Sequence, residues 1–159
     1  MSKISTSFLP DSSNANNFIS KIDFADSYKI DLLKDDEIRK IYLKLFLTDS
    51  KLINFLMSVR NKIMSLFNFK TEINDLNQLN DIQVGNKVGF FTIYYIDEYE
   101  IIAGEKDKHL DFCVSFYKKD ANLTVSTLVQ YNNFFGKFYM NLVKPFHKLV
   151  VKRMLKNLK

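Results

Sequence analysis

The sequence predicts an α+β fold, an antiparallel sheet closed by one long C-terminal helix. Three observations predict it. From Lys87 onward apolar residues recur with period two, in four runs joined by short polar links. From about Phe138 to Leu158 they recur every three or four residues. Ahead of the sheet, one strand-like run is followed by two stretches of helical spacing.

Residues 1–20 hold "PDSSNANN", a polar stretch that reads as an irregular N-terminal arm; a single domain is expected over 21–159. "KIDFADSYKIDL" spaces its apolar residues mostly by two and suits a short strand. Asp35 and Asp36 precede "EIRKIYLKLFL", where Ile38, Ile41, Tyr42, Leu45 and Phe46 mark one helical face. Acids at that end favour the helix dipole. "TDS" interrupts the pattern, and a second short helix is expected from Asp49 or Ser50 to about Phe67, with Asp49 or Ser50 as N-cap. Residues 70–86 lose periodicity and read as a connection. The runs "KVGFFTIYYI", "YEIIAG", "HLDFCVSFY" and "LTVSTLVQY", joined by "DE", "GEKDK" and "KKDAN", form a hairpin meander.

The chain has 159 residues, 47% hydrophobic and 26% charged, which suits one globular domain. Aromatic content is 14%, all of it Phe and Tyr, enough to thicken a core or line a pocket. One cysteine and two histidines leave no basis for a disulfide or a metal site, and no cofactor motif appears. No secretory signal or membrane-spanning run is visible, so a cytoplasmic protein is expected.

The formal charge of +5 is concentrated in "GKFYMNLVKPFHKLVVKRMLKNLK", which holds seven cations and no acid. Tyr139, Leu142, Val143, Phe146, Val150 and Met154 keep helical spacing, widened by Leu149, Val151, Leu155 and Leu158. Lys144, Lys148, Lys152 and Lys156 form a stripe expected to lie opposite. Burying one large apolar side chain is worth about 1.5–3 kcal/mol, against about 1 kcal/mol for a lysine near an anionic surface. The helix is therefore expected to cover the sheet with its lysines solvated. Stable membrane insertion and nucleic-acid binding are not expected. Pro145 should kink the helix or mark its start.

The motifs "DFADSYKI", "LMSVRNKI", "GEKDKHLDFCVS" and "NLVKPFHKLVVKRML" resemble, in order, those of a bacterial domain-of-unknown-function family related to the START-like, polyketide-cyclase-like (SRPBCC, helix-grip) superfamily. The resemblance spans about residues 20–156. It implies an antiparallel sheet curled around the C-terminal helix, a short helix pair after the first strand, and an apolar ligand between sheet and helix. Some relatives carry this domain beside a dinucleotide-binding oxidoreductase domain. Where relatives carry arginine after "HLDF", this chain has Cys113.

Several residues are candidates for chemistry. On a strand, His109, Asp111, Cys113 and Ser115 share one face, and Leu110, Phe112, Val114 and Phe116 the other. The polar set reads as the solvated back of the sheet, with a His–Asp ligand site or a catalytic dyad as alternatives. Residues two apart on a strand lie about 6–7 Å apart, reachable for a pair and poor for a triad. His147 reads as a satisfied structural histidine or, with Tyr139, as a polar group at a cavity mouth. Arg60 pairs with a carboxylate or binds an anionic head group. Phe90, Tyr94, Phe112, Tyr139, Phe146 and His147 complete the expected ligand-binding set with Arg60.

The expected function is noncatalytic binding of a small apolar or amphipathic molecule between sheet and helix. A cyclase, dehydratase or isomerase using His109 and Asp111, or Tyr139 and His147, is the enzymatic alternative. An interaction module partnering a dinucleotide-binding oxidoreductase is the third reading, and a homodimer would suit exposed aromatic strand faces.

Overall fold

Alternating burial along Phe24–Asp31, the first long strand, shows how this chain builds its sheet: Tyr28 and Ile30 turn inward, toward the helices. The structure is a computed structural model and describes residues 3–47, 54, 57–58, 61–62, 65, 82–88 and 91–158. In chain order the elements are β1 (Ser5–Thr6), a 3-10 turn (Ala15–Asn17), β2 (Phe24–Asp31), α1 (Ile38–Leu47), β3 (Lys87–Val88), β4 (Phe91–Ile96), β5 (Glu100–Lys106), β6 (Leu110–Lys119), β7 (Asn122–Tyr131) and α2 (Phe134–Lys156). Asn54, Met57, Ser58, Asn61, Lys62 and Ser65 are also helical. The rest of the expected second helix, Arg60 included, lies outside the described residues, as does Phe90.

The strands form one antiparallel sheet in the order β1-β2-β7-β6-β5-β4-β3. The α+β helix-grip expectation holds, with an antiparallel sheet, an early short helix and a long C-terminal helix. The meander β3 to β7 follows from its short links. Asp120 turns the β6–β7 hairpin with a φ of 52°, a left-handed conformation that aspartate tolerates better than most residues. The pairing of β2 with β7, the first long strand with the last, closes the other side.

The main core lies between one sheet face and the helices. Ile38, Ile41, Tyr42, Leu45 and Phe46 of α1 are buried, the very set that helical spacing selects. Tyr42 and Phe46 meet Phe116 with ring centroids 4.9 and 6.1 Å apart. Val151 and Leu155 of α2 join the same cluster, with Met154 and Leu158 packed beside it.

Three expectations are corrected. "KVGFFTIYYI" is not one run: β3 and β4 pair antiparallel, Val88 opposite Phe91. The back of the sheet is not solvated. Ile102, Cys113 and Leu128 lie there, and the N-terminal segment covers them with Leu9, Ala15, Phe18 and Ile19. Apolar strand positions on both faces require two covers, and the arm is the second.

The third correction concerns α2, which starts at Phe134 and runs unbroken through Pro145. Its buried line is Gly136, Met140, Val150, Val151 and Leu155, whereas Leu142, Phe146 and Leu149 are 45%, 47% and 68% exposed. Lys144 and Lys152, expected in solvent, instead lie over the Phe24 and Tyr28 rings at 5.0 and 5.6 Å. The helix carries apolar residues on both sides, and the close approach of Gly136 sets which side turns inward. A Cβ there would stand 2.0 Å from the His109 carbonyl oxygen. Only glycine admits the backbone of the β5–β6 turn that near.

Candidate functional site

His109 and Asp111 sit where β5 turns into β6, beside the start of α2. Asn133, the N-cap of α2, accepts from Gly136 N and donates to the Lys108 carbonyl at 3.1 Å each. Its Nδ2 lies 3.0 Å from His109 Nδ1. Asp111 Oδ1 accepts from Asn132 Nδ2 at 2.9 Å and from Asp107 N at 3.2 Å. These bonds fasten the turn to the helix cap, a positioning task for both side chains.

The back of the sheet holds a buried carboxylate. Glu100 is 1% exposed. Its Oε1 accepts from the Ser13 and Ser115 hydroxyls, each at 2.5 Å. Its Oε2 accepts from Asn14 N at 2.9 Å and Asn14 Nδ2 at 3.3 Å. A buried carboxylate with four donors is satisfied, and three of those donors belong to the N-terminal segment. Close by, Ser27 donates to Ser126 at 2.8 Å. Cys113 is buried under Ala15, and burial pushes its thiol up to about 12, with the Glu100 charge adding to the rise. Such a thiol is not a nucleophile near neutrality.

The third place is where β2 and β7 meet α2. His147 Nε2 lies 3.2 Å from Asp26 Oδ1, and its ring stands edge-on to Phe24. Beside this pair opens a groove of about 490 Å³ lined by Lys21, Asp23, Tyr131, Asn133, Phe134, Lys137, Asn141 and Lys144. Lys137, Asn141 and Lys144 recur at helical spacing, so one face of α2 forms the wall. The end of β7 supplies Tyr131, and the residues entering β2 supply Lys21 and Asp23. Asp23 Oδ1 pairs with Lys21 at 2.7 Å, and Oδ2 accepts from Tyr131 N at 2.8 Å. The Lys21 bond, then the Tyr131 amide, hold the Asp23 carboxyl below its ordinary range. Three lysines against one aspartate leave the groove positive. The Tyr131 hydroxyl is buried and has no hydrogen-bond partner among the described residues.

The other candidates are dispersed. Tyr94 lies at the back of the sheet, stacked on Phe18 at 5.8 Å; burial first, then Glu105, push its hydroxyl up to about 12. Phe112 is on the helix side, edge-on to Phe91 at 5.4 Å. Tyr139 is half-buried on α2, and Phe146 faces away from the sheet. None of the groove's residues was a candidate from sequence. The recurrence of Lys137, Asn141 and Lys144 was the available signal. Lys21, Asp23 and Tyr131 join them only through β2–β7 pairing across about a hundred residues. Glu100 shares its strand face with Ile102, the one local hint that the acid is buried.

A family model described as a protein of unknown function (DUF2867) matches residues 18–154. No curated protein and no solved structure matches the chain.

Proposed function

We propose a function from one premise: the chain belongs to the family described as protein of unknown function, DUF2867. It is a binding protein for a small amphipathic molecule with an anionic head, taken up in the groove between α2 and the β2–β7 end of the sheet. The observation that carries this reading is the pairing of three ammonium groups with two aromatic residues, Tyr131 and Phe134, around a space of about 490 Å³. Small-molecule sites commonly measure about 300–1,000 Å³, a range that includes this groove. Lys21, Lys137 and Lys144 supply the charge for a carboxylate or sulfate, and the rings supply apolar contact for its tail. Between sheet and helix, Tyr28, Val125 and Val151 pack together in the core.

The test is calorimetric titration with dodecanoate at low salt. One saturable site is expected, weakened about tenfold by Lys137→Ala with Lys144→Ala, about 0.7 kcal/mol for each charge. Dodecanol, which lacks the charge, should bind more weakly. Failure of dodecanoate to bind, or equal binding by wild type and double variant, would overturn the reading.

A further inference from the structure

We propose that the outward side of α2 docks on an anionic membrane surface. The helix presents Phe134, Leu142, Phe146 and Leu149 along the side facing away from the sheet, steps of eight, four and three residues. Phe134 is 80% exposed and Leu149 68%. Large apolar side chains aligned in the open on an outer helix face mark a contact surface.

Charge identifies what it contacts. From Gly136 to Lys159 the chain has seven cations and no acid. Lys148 and Lys156 are exposed on α2, flanking the apolar stripe. A second copy of this face would set cations against cations with no acid to pair them. A nucleic acid would use the lysines and leave the rings wet. Anionic lipid answers both features, because apolar side chains enter the acyl boundary while ammonium groups meet the head groups. Pro145 is exposed, so the helix bond it cannot donate is missing on the outer side, where water or head groups reach the backbone. No described helix is long and apolar enough to cross a membrane, so the contact is peripheral.

Cosedimentation with vesicles of equal parts phosphatidylcholine and phosphatidylserine tests this. The full chain should pellet with them, more weakly with phosphatidylcholine alone, and less as salt rises. Leu142→Ser with Phe146→Ser and Leu149→Ser should weaken binding about tenfold or more. Lys148→Glu with Lys156→Glu, a second variant should the first fail to fold, should also weaken it about tenfold or more. None of these positions lines the groove, so dodecanoate binding should be unchanged and the two readings fail separately. Wild type remaining in the supernatant, or variants pelleting like wild type, would overturn the proposal. So would a wild-type dimer that the serine variant splits, because a second copy would then occupy the face.

Discussion

Tyr42 lies wholly inside the core, packed against Phe46 and Phe116, and its hydroxyl has no hydrogen-bond partner among the described residues. Burial alone pushes that hydroxyl's pKa up, since the phenolate has no charge to meet it. An unmet buried hydroxyl costs about 1–3 kcal/mol relative to its hydration in the unfolded chain. Tyr42→Phe is therefore expected to raise stability by about 1 kcal/mol, read as a higher denaturant midpoint with unchanged slope. A lower midpoint would show that the hydroxyl has a partner. Glu100 is the opposite case, a buried charge with four donors. The difference was not legible residue by residue, because a tyrosine on a helix and a glutamate on a strand each look ordinary in sequence.

The N-terminal segment has little regular structure beyond β1 and a 3-10 turn, and it covers the back of the sheet. It seals Ile102, Cys113 and Leu128, and its Ser13 and Asn14 bind Glu100. Cys113 reports on that seal. In the folded chain, reaction of the thiol with an alkylating reagent at mildly alkaline pH should be slow, since burial disfavours the thiolate. Deleting residues 1–19 should speed the reaction by at least about tenfold, and Glu100→Gln should speed it to a smaller degree. Equal labelling rates in all three proteins would mean that the segment does not guard the sheet. The segment's role was hidden because Leu9, Phe18 and Ile19 are sparse among serines and asparagines, without a period to betray them. The face of α1 was fully legible, because one helix with one apolar stripe has only one side to bury.

For the whole molecule, the relation between pH and stability follows from carboxylates held by lysines. Asp36 is held at about 2 by Lys44 and then Lys40, and Asp23 lies below its ordinary value beside Lys21. A folded pKa below the unfolded value of 3.8 means that the ionised form favours folding. That contribution is complete above about pH 4 and is lost as pH falls through about 2. Asp36→Asn should thus flatten the acid side of the stability profile, measured by denaturant midpoints across that range. High salt should shrink the difference, since both lysines are exposed. An acid side identical to that of wild type would remove Asp36 from the account.

Local periodicity by itself determined the α+β class, the meander, the buried face of α1 and the existence of a long basic C-terminal helix. These depend on neighbours within one or two turns or one hairpin, where spacing and turn residues act directly. Tertiary structure decided the rest. It paired β2 with β7, laid the arm over Glu100 and Cys113, gathered Lys21, Tyr131 and Lys137 around one groove, and chose which side of α2 turns inward. The physical reason is that α2 has large apolar residues on more than one side, so periodicity leaves its rotation undecided. A backbone approach at Gly136 and the aromatic seats for Lys144 and Lys152 decide it, and both come from strands far away in the chain.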